Sequence, residues 1–140
     1  MGDFQISEEG LIFIASLVGK PYHKECHDGT KFNCWTLTTY IYKHFGIILP
    51  VNSIETWDLR AIMARVSASK PLWRKVDFKD RQFLDIILFN TSPRLTTHIG
   101  VTIDKKWYIH ATQESGVITS RFTKGVQSSL IKWMYRWKNL

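Results

Sequence analysis

The clearest structural signal in the chain is KFNCWTLTTYIYKHFGIILP, residues 31–50, which sets a cysteine at the start of an expected helix. From Cys34 onward, apolar residues recur at helical spacing until Gly46 ends the pattern. These apolar residues are Leu37, Tyr40, Ile41 and Phe45. The N-terminus of a helix carries partial positive charge and free N–H groups, which favour a thiolate and can hold an oxyanion. Cys34 is therefore either a small buried hydrophobe or a nucleophile.

Helical patterns come first along the chain, and strand patterns follow. Residues 7–22, SEEGLIFIASLVGKPY, predict a first helix that begins at Ser7 and stops at Gly19 and Pro21. A third helical segment is predicted in residues 52–66, which open with a capping-box pattern. Five strands are expected in DIILFN, HIGVTID, KWYIHAT, GVITSRF and IKWMYRW. This order predicts one α+β domain over residues 1–140, with N-terminal helices packed on an antiparallel β-sheet.

Composition limits the class of partner. The formal net charge of +7 should attract polyanions such as nucleic acid, anionic lipid or an anionic cell-wall polymer. The basic residues are scattered without a long block, so a nucleic-acid-binding arm is not indicated. Residues 11–18 form an apolar run without a basic leader and too short to cross a bilayer. We therefore expect no signal peptide, no membrane anchor and a cytoplasmic location at synthesis.

Cysteine and histidine spacing bears on metal binding. The chain has two cysteines, which excludes a disulfide scaffold. His23, Cys26 and His27 lie close together in YHKECHD, but their spacing fits no standard zinc pattern. We expect neither a metal nor another cofactor.

Two strand histidines supply what a nucleophilic cysteine would need. His98 lies in TTHIGVTID and His110 in KWYIHAT, each on the less apolar face of its strand. Their separation, 110 − 98 = 12, is even, so a hairpin loop of odd length places both side chains on one face. Such a pair is either incidental or a base beside the group that orients it.

Several segments in a fixed order resemble one family. FNCWTLTTYIYKHFGIILP is similar to the nucleophile segment of the NlpC-type (NlpC/P60) papain-like cysteine peptidases. Upstream, LVGKPY and DGTKFNC resemble that family's entry to the cysteine. Downstream, LDIILF, THIGVTID and WYIHAT resemble its strands, in the same order. The resemblance runs from about Leu17 to Phe122 and implies a papain-like NlpC-type domain.

Roles for individual residues follow from the resemblance. It implies Cys34 as nucleophile, His98 as general base and then acid, and His110 as the polar third member. Tyr22 matches a tyrosine that helps to hold the oxyanion. The implied reaction is thioester-mediated cleavage of peptidoglycan stem peptides, at a γ-D-glutamyl-diamino acid amide bond.

The chain departs from the family pattern at several positions. Asn33 stands where many members have Asp, Thr36 where a small residue is usual, and Leu84 where a Gly precedes Asp. Together with Trp35, Asn33 and Thr36 are predicted to be substrate-binding residues.

The sub-family and the delivery route stay open at the level of sequence. Trp35 and the terminal WMYRW resemble small members carried by tailed phages and gene-transfer particles. A phage tail or a secretion apparatus would then be a partner and would bring the domain to the cell wall. The alternatives are a secretion-delivered amidase toxin, a thiol acyltransferase on the same fold, and a non-catalytic tail component.

Overall fold

The computed structural model describes residues 5–23, 29–49, 72–89, 98–122, 131–138 and 140. The first helix, α1, spans Glu8–Leu17, and the Ser7 side chain accepts a hydrogen bond from the Gly10 amide at 3.0 Å. The acidic pair Glu8 and Glu9 lies in its first turn, where the helix dipole favours negative charge. The N-cap and the start of α1 are therefore those that the sequence predicts.

The second helix, α2, spans Cys34–His44 and begins at the cysteine, as predicted. Lys43 and His44 occupy its last turn, and Gly46 follows with φ of +85°, the left-handed conformation that ends many helices. Most of its first two turns is buried, so α2 lies in the core and packs on two strands, His98–Thr102 and Trp107–Thr112.

Within the described residues, one antiparallel sheet of six strands forms the second half of the domain. The strands are β1 (Trp73–Lys75), β2 (Ile86–Phe89), β3 (His98–Thr102), β4 (Trp107–Thr112), β5 (Gly116–Arg121) and β6 (Ile131–Trp137). Their spatial order is β1-β6-β2-β3-β4-β5, and a short 3₁₀ turn, Phe78–Asp80, lies between β1 and β2. The C-terminal strand is therefore inserted between β1 and β2.

Apolar side chains pack on both faces of the sheet. The larger cluster joins the helices to the sheet residues Ile86, Leu88, Ile99, Val101 and Ile109. The smaller cluster lies on the opposite face, because strand residues alternate between faces. It contains Val76, Ile87, Phe89, Tyr108 and Met134.

The architecture confirms the predicted α+β class with helices on an antiparallel sheet, and all five predicted strands are present. The three-residue strand β1 was not predicted from the sequence. The third helical segment, residues 52–66, lies outside the described residues. No helix in the described ranges combines the length and apolar character needed to cross a membrane.

Candidate active site

Cys34 is held at the start of α2 by a reciprocal capping box. The Asn33 side chain accepts hydrogen bonds from the amides of Trp35 at 2.9 Å and Thr36 at 2.8 Å. In return, the Asn33 amide donates to the Thr36 hydroxyl at 2.9 Å. The cap fixes the backbone on both sides of the cysteine, and Asn33 caps the helix as an Asp would.

The positions of Asn33, Trp35 and Thr36 do not support the substrate contacts predicted for them. Their exposed fractions are 1%, 2% and 3%. Asn33 and Thr36 are engaged in the cap, and Trp35 packs into the main core cluster. Burial at this level favours a structural contribution: Asn33 and Thr36 hold the cap that fixes the backbone on both sides of Cys34.

The Cys34 sulfur lies where β3 and β4 separate. These strands pair at Val101↔Ile109 and Thr102↔Tyr108, and the Ile99 amide, nearer the start of β3, hydrogen-bonds the sulfur. Ile99 directly follows His98, so the sulfur lies beside the first residues of β3. Whether a His98 ring nitrogen lies within hydrogen-bond reach of the sulfur stays a prediction.

The resting thiol is not activated in the way that its helix position predicts. Burial raises the pKa of Cys34 to about 11, and hydrogen bonds from the amides of Ile99, Cys34 and Trp35 oppose this rise only in part. Desolvation of the thiolate outweighs stabilisation by the helix N-terminus. The expectation of a lowered pKa is therefore wrong for this structure, and the sulfur needs a base to remove its proton.

His98 and His110 contact each other directly. His98 Nε2 lies 2.7 Å from His110 Nδ1. The turn between β3 and β4 has three residues, because the Ile103 amide donates to the Trp107 carbonyl at 2.9 Å. This odd-length turn puts both histidines on one face, as their spacing predicts. Because His110 occupies Nε2 of His98, Nδ1 is the His98 nitrogen left for a substrate or a thiol.

The second nitrogen of His110 is also bonded. His110 Nε2 lies 2.8 Å from the Ser120 hydroxyl, and the Tyr108 hydroxyl hydrogen-bonds Ser120 as well. The Phe89 and Tyr108 rings pack around the histidines, with centroid distances of 5.4 Å from Phe89 to His98 and 4.8 Å from Tyr108 to His110. These contacts fix the plane of both imidazoles.

Burial keeps both imidazoles neutral. It lowers the pKa of His98 to about 4. Burial and, to a smaller degree, the charge of His98 lower the pKa of His110 to about 3. A neutral imidazole keeps a lone pair, so at physiological pH His98 is in the protonation state that a general base needs.

Tyr22 lies close enough to Cys34 for the charge of a thiolate to raise the pKa of its phenol, although burial contributes more to that rise. The Tyr22 hydroxyl hydrogen-bonds the Gln113 side chain in the turn after β4. The backbone beside Tyr22 bridges to Phe32, two residues before Cys34, through His23 N to Phe32 O at 3.1 Å. The structure thus brings Tyr22 to the cysteine.

The sequence prediction missed Ser120 and Gln113. Ser120 pairs with Tyr108 across β4 and β5, and His110 pairs with Ile118. Extending the alternation of faces from the first hairpin to the second would have placed Ser120 beside His110. Gln113 gave no comparable signal, because its contact with Tyr22 depends on the path of a distant loop.

The described residues contain no cluster of three or more His, Cys, Asp or Glu side chains arranged to hold a metal. His23 is described, whereas Cys26 and His27 lie outside the described residues.

Comparison with known proteins identifies the family and the fold. The model of the NlpC/P60 family matches residues 19–135, most of the chain. NlpC2 from Trichomonas vaginalis has a similar structure, with a TM-score of 0.68 and 20% identity over 93% of this chain and 46% of that one. An NlpC/P60 family protein from Bacillus cereus has a TM-score of 0.68 and 21% identity over 96% of this chain and 41% of that one. This chain therefore spans less than half the length of those two proteins.

A third similar structure is the NlpC/p60 domain of the peptidoglycan hydrolase SagA, with a TM-score of 0.62 and 17% identity over 94% of this chain and 99% of that one. A search of curated proteins finds no match. The chain belongs to the NlpC/P60 family, which the resemblance in the sequence had indicated. Nothing in these comparisons supports the resemblance to phage-tail members.

Proposed function

We propose that this domain is a cysteine peptidase or amidohydrolase that cleaves peptidoglycan stem peptides through a thioester on Cys34. The observation that carries the proposal is the contact between the start of α2 and the start of β3. The helix start that holds Cys34 meets β3 at Ile99, the residue that follows His98, and His98 in turn contacts His110. Membership of the NlpC/P60 family and a similar domain in a peptidoglycan hydrolase support the substrate class.

The proposed reaction begins with proton transfer from the Cys34 thiol to Nδ1 of His98. The sulfur attacks an amide carbonyl, and the negative charge that develops on the oxygen is stabilised by hydrogen-bond donors. Two donors fit this role: the Tyr22 hydroxyl and the Cys34 amide, since the Asn33 side chain caps the next two amides of α2. His98 then protonates the leaving amine, and water hydrolyses the thioester.

A more specific proposal concerns which amide bond is cleaved and where the substrate is found. We propose cleavage at the γ-D-glutamyl-diamino acid amide, in an anionic cell wall to which a net charge of +7 is attracted. A phage tail, a secretion apparatus or lysis would bring the domain to that wall.

The decisive experiment is digestion of purified peptidoglycan by the wild type and Cys34→Ala, with soluble products weighed by mass spectrometry. We expect release by the wild type, none by Cys34→Ala, and full activity from the matched variant Cys26→Ser. A new amino terminus on the diamino acid would support the proposed bond. Equal release by wild type and Cys34→Ala would contradict the nucleophile.

The same assay separates the alternatives. With an added amine acceptor, a thiol acyltransferase gives products that carry the acceptor mass, whereas a hydrolase gives free carboxylates. No release by the wild type from any peptidoglycan would favour a non-catalytic component.

A further inference from the structure

Ser120 ends a chain of hydrogen bonds that starts at His98. His98 Nε2 contacts His110 Nδ1 at 2.7 Å, and His110 Nε2 contacts the Ser120 hydroxyl at 2.8 Å. Ser120 also bonds the Tyr108 hydroxyl, which lies directly across the β4–β5 ladder. These residues lie on three adjacent strands, β3, β4 and β5, so the geometry does not depend on a loop.

Once His98 has taken a proton, each hydrogen bond between His98 and Ser120 must have one particular donor. A doubly protonated imidazole donates from both nitrogens, so His98 Nε2–H must donate to His110 Nδ1. Neutral His110 then carries its single proton on Nε2, and this N–H must find an acceptor. Ser120 is the group at that distance.

If the hydrogen bond between the two histidines ran the other way, from His110 to His98, His98 could not act as the base for Cys34. If His110 carried its proton on Nδ1, it would donate to His98 Nε2, and the proton of neutral His98 would lie on Nδ1. His98 would then have no lone pair for the thiol. A serine hydroxyl can both donate and accept, so a second partner has to set its direction, and Tyr108 is placed to receive the serine proton.

We propose that Ser120 is a positioning residue that accepts from His110 Nε2–H, donates to Tyr108 and thereby keeps the lone pair of His98 on Nδ1. The kinetic part of this inference rests on the proposed role of His98 as the base for Cys34. The tautomer of His110 is independent of any activity.

The first test is spectroscopic. Long-range ¹H–¹⁵N spectra distinguish protonated from unprotonated ring nitrogens in ¹⁵N-labelled protein. In the wild type we expect His110 protonated at Nε2, and in Ser120→Ala a gain of the Nδ1–H form. The matched control is Thr119→Ala, which removes an exposed hydroxyl from the next position of β5 and should leave the spectrum unchanged. Wild-type His110 protonated at Nδ1 would overturn the proposal.

The second test is kinetic. For Ser120→Ala on a soluble muropeptide we expect kcat to fall by about tenfold or more while KM changes little. Ser120→Thr keeps the hydroxyl on a strand-compatible side chain and should restore kcat. Equal kcat for Ser120→Ala and Thr119→Ala would contradict the proposal. If Ser120→Ala fails to fold, the wild-type spectrum and Ser120→Thr still decide the question. Expected spectra together with no activity in the wild type would refute the proposed function and leave the tautomer assignment standing.

Discussion

Leu84 has a left-handed backbone conformation, with φ of 73°, that residues other than glycine rarely adopt. It occupies the position where the family pattern has Gly, and its side chain is fully buried in the main core cluster. The Tyr42 hydroxyl donates to its carbonyl oxygen. The strain of the left-handed conformation is therefore retained because the side chain fills the core and the carbonyl is bonded.

At position 84, Gly should give a more stable protein than Ala, the reverse of the usual order of stability. Removing a buried leucine side chain costs about 2–5 kcal/mol, so Leu84→Ala and Leu84→Gly should both destabilise. Gly relieves the left-handed strain, and we expect Leu84→Gly to be the more stable of the two by about 1 kcal/mol. Urea unfolding followed by circular dichroism measures the difference.

Leu37 provides the control for that comparison. It is 1% exposed and lies within α2, where Gly should be less stable than Ala by about 1 kcal/mol. The same order at both positions would show that the conformation of Leu84 carries no strain.

The buried thiol of Cys34 should react slowly in the resting protein. Because burial raises its pKa to about 11, little thiolate exists at pH 7. In a Cys26→Ser background, we expect iodoacetamide to alkylate Cys34 more slowly than a model thiol at pH 7.5, with a rate that still rises above pH 9. A plateau below pH 8 would mean that the helix N-terminus and His98 outweigh burial. Slow alkylation is therefore no argument against catalysis.

At the scale of elements, the contact between β5 and the segment before Tyr22 positions the proposed oxyanion donor. Val117 N donates to Lys20 O, and Gly19 N donates to Val117 O, each at 2.9 Å. This contact requires Gly116, whose φ is +70° and where a Cβ would lie 2.4 Å from the Lys20 carbonyl oxygen. A side chain at position 116 must therefore push the two segments apart.

Gly116→Ala should consequently affect both stability and activity. We expect the substitution to lower the free energy of unfolding by clearly more than the roughly 1–2 kcal/mol of left-handed strain. We also expect it to lower kcat by displacing Tyr22. Gly46→Ala is the matched control, because Gly46 has φ of +85° and no atom within 4 Å of an added Cβ. Thermal unfolding and peptide release measure the two effects. Equal losses of stability and activity in the two variants would mean that the contact between position 116 and Lys20 adjusts to a side chain without a measurable cost.

How much of the fold and site the sequence could predict depends on whether the signal is local. The start of α2 at Cys34 and the contact of His98 with His110 follow from caps, periodicity and hairpin parity. The insertion of β6 between β1 and β2 does not, because pairing between distant strands leaves no periodic trace. The burial that raises the pKa of Cys34 was equally hidden, since it results from the packing of α2 on β3 and β4.

At the scale of the whole molecule, the site connects the two faces of the sheet. Cys34 belongs to the cluster under the helices, whereas the histidines pack with Phe89 and Tyr108 of the opposite cluster. Ile99, whose amide hydrogen-bonds the Cys34 sulfur, directly follows His98 along β3. The histidines therefore take their neutral state from the folding of the entire sheet, which couples their protonation to global stability.

The unfolding free energy should fall as the pH decreases below 6.5. An unfolded histidine has a pKa of about 6.5, whereas burial lowers the pKa of His98 to about 4 and that of His110 to about 3. Between pH 6.5 and 4 the unfolded chain binds up to two more protons than the folded one, so stability is fully present above 6.5 and is lost as pH falls. The slope from this pair approaches about 2.7 kcal/mol per pH unit.

Urea unfolding at pH 7.5 and pH 5.0 measures this loss. The double variant His98→Asn, His110→Asn lacks both groups, and we expect a clearly smaller loss between the two pH values. His44→Asn is the control, because His44 is exposed at the end of α2 and its removal leaves the buried pair intact. An undiminished loss in the double variant would show that carboxylates elsewhere govern acid unfolding, and that the histidine pair gains no stability from remaining neutral.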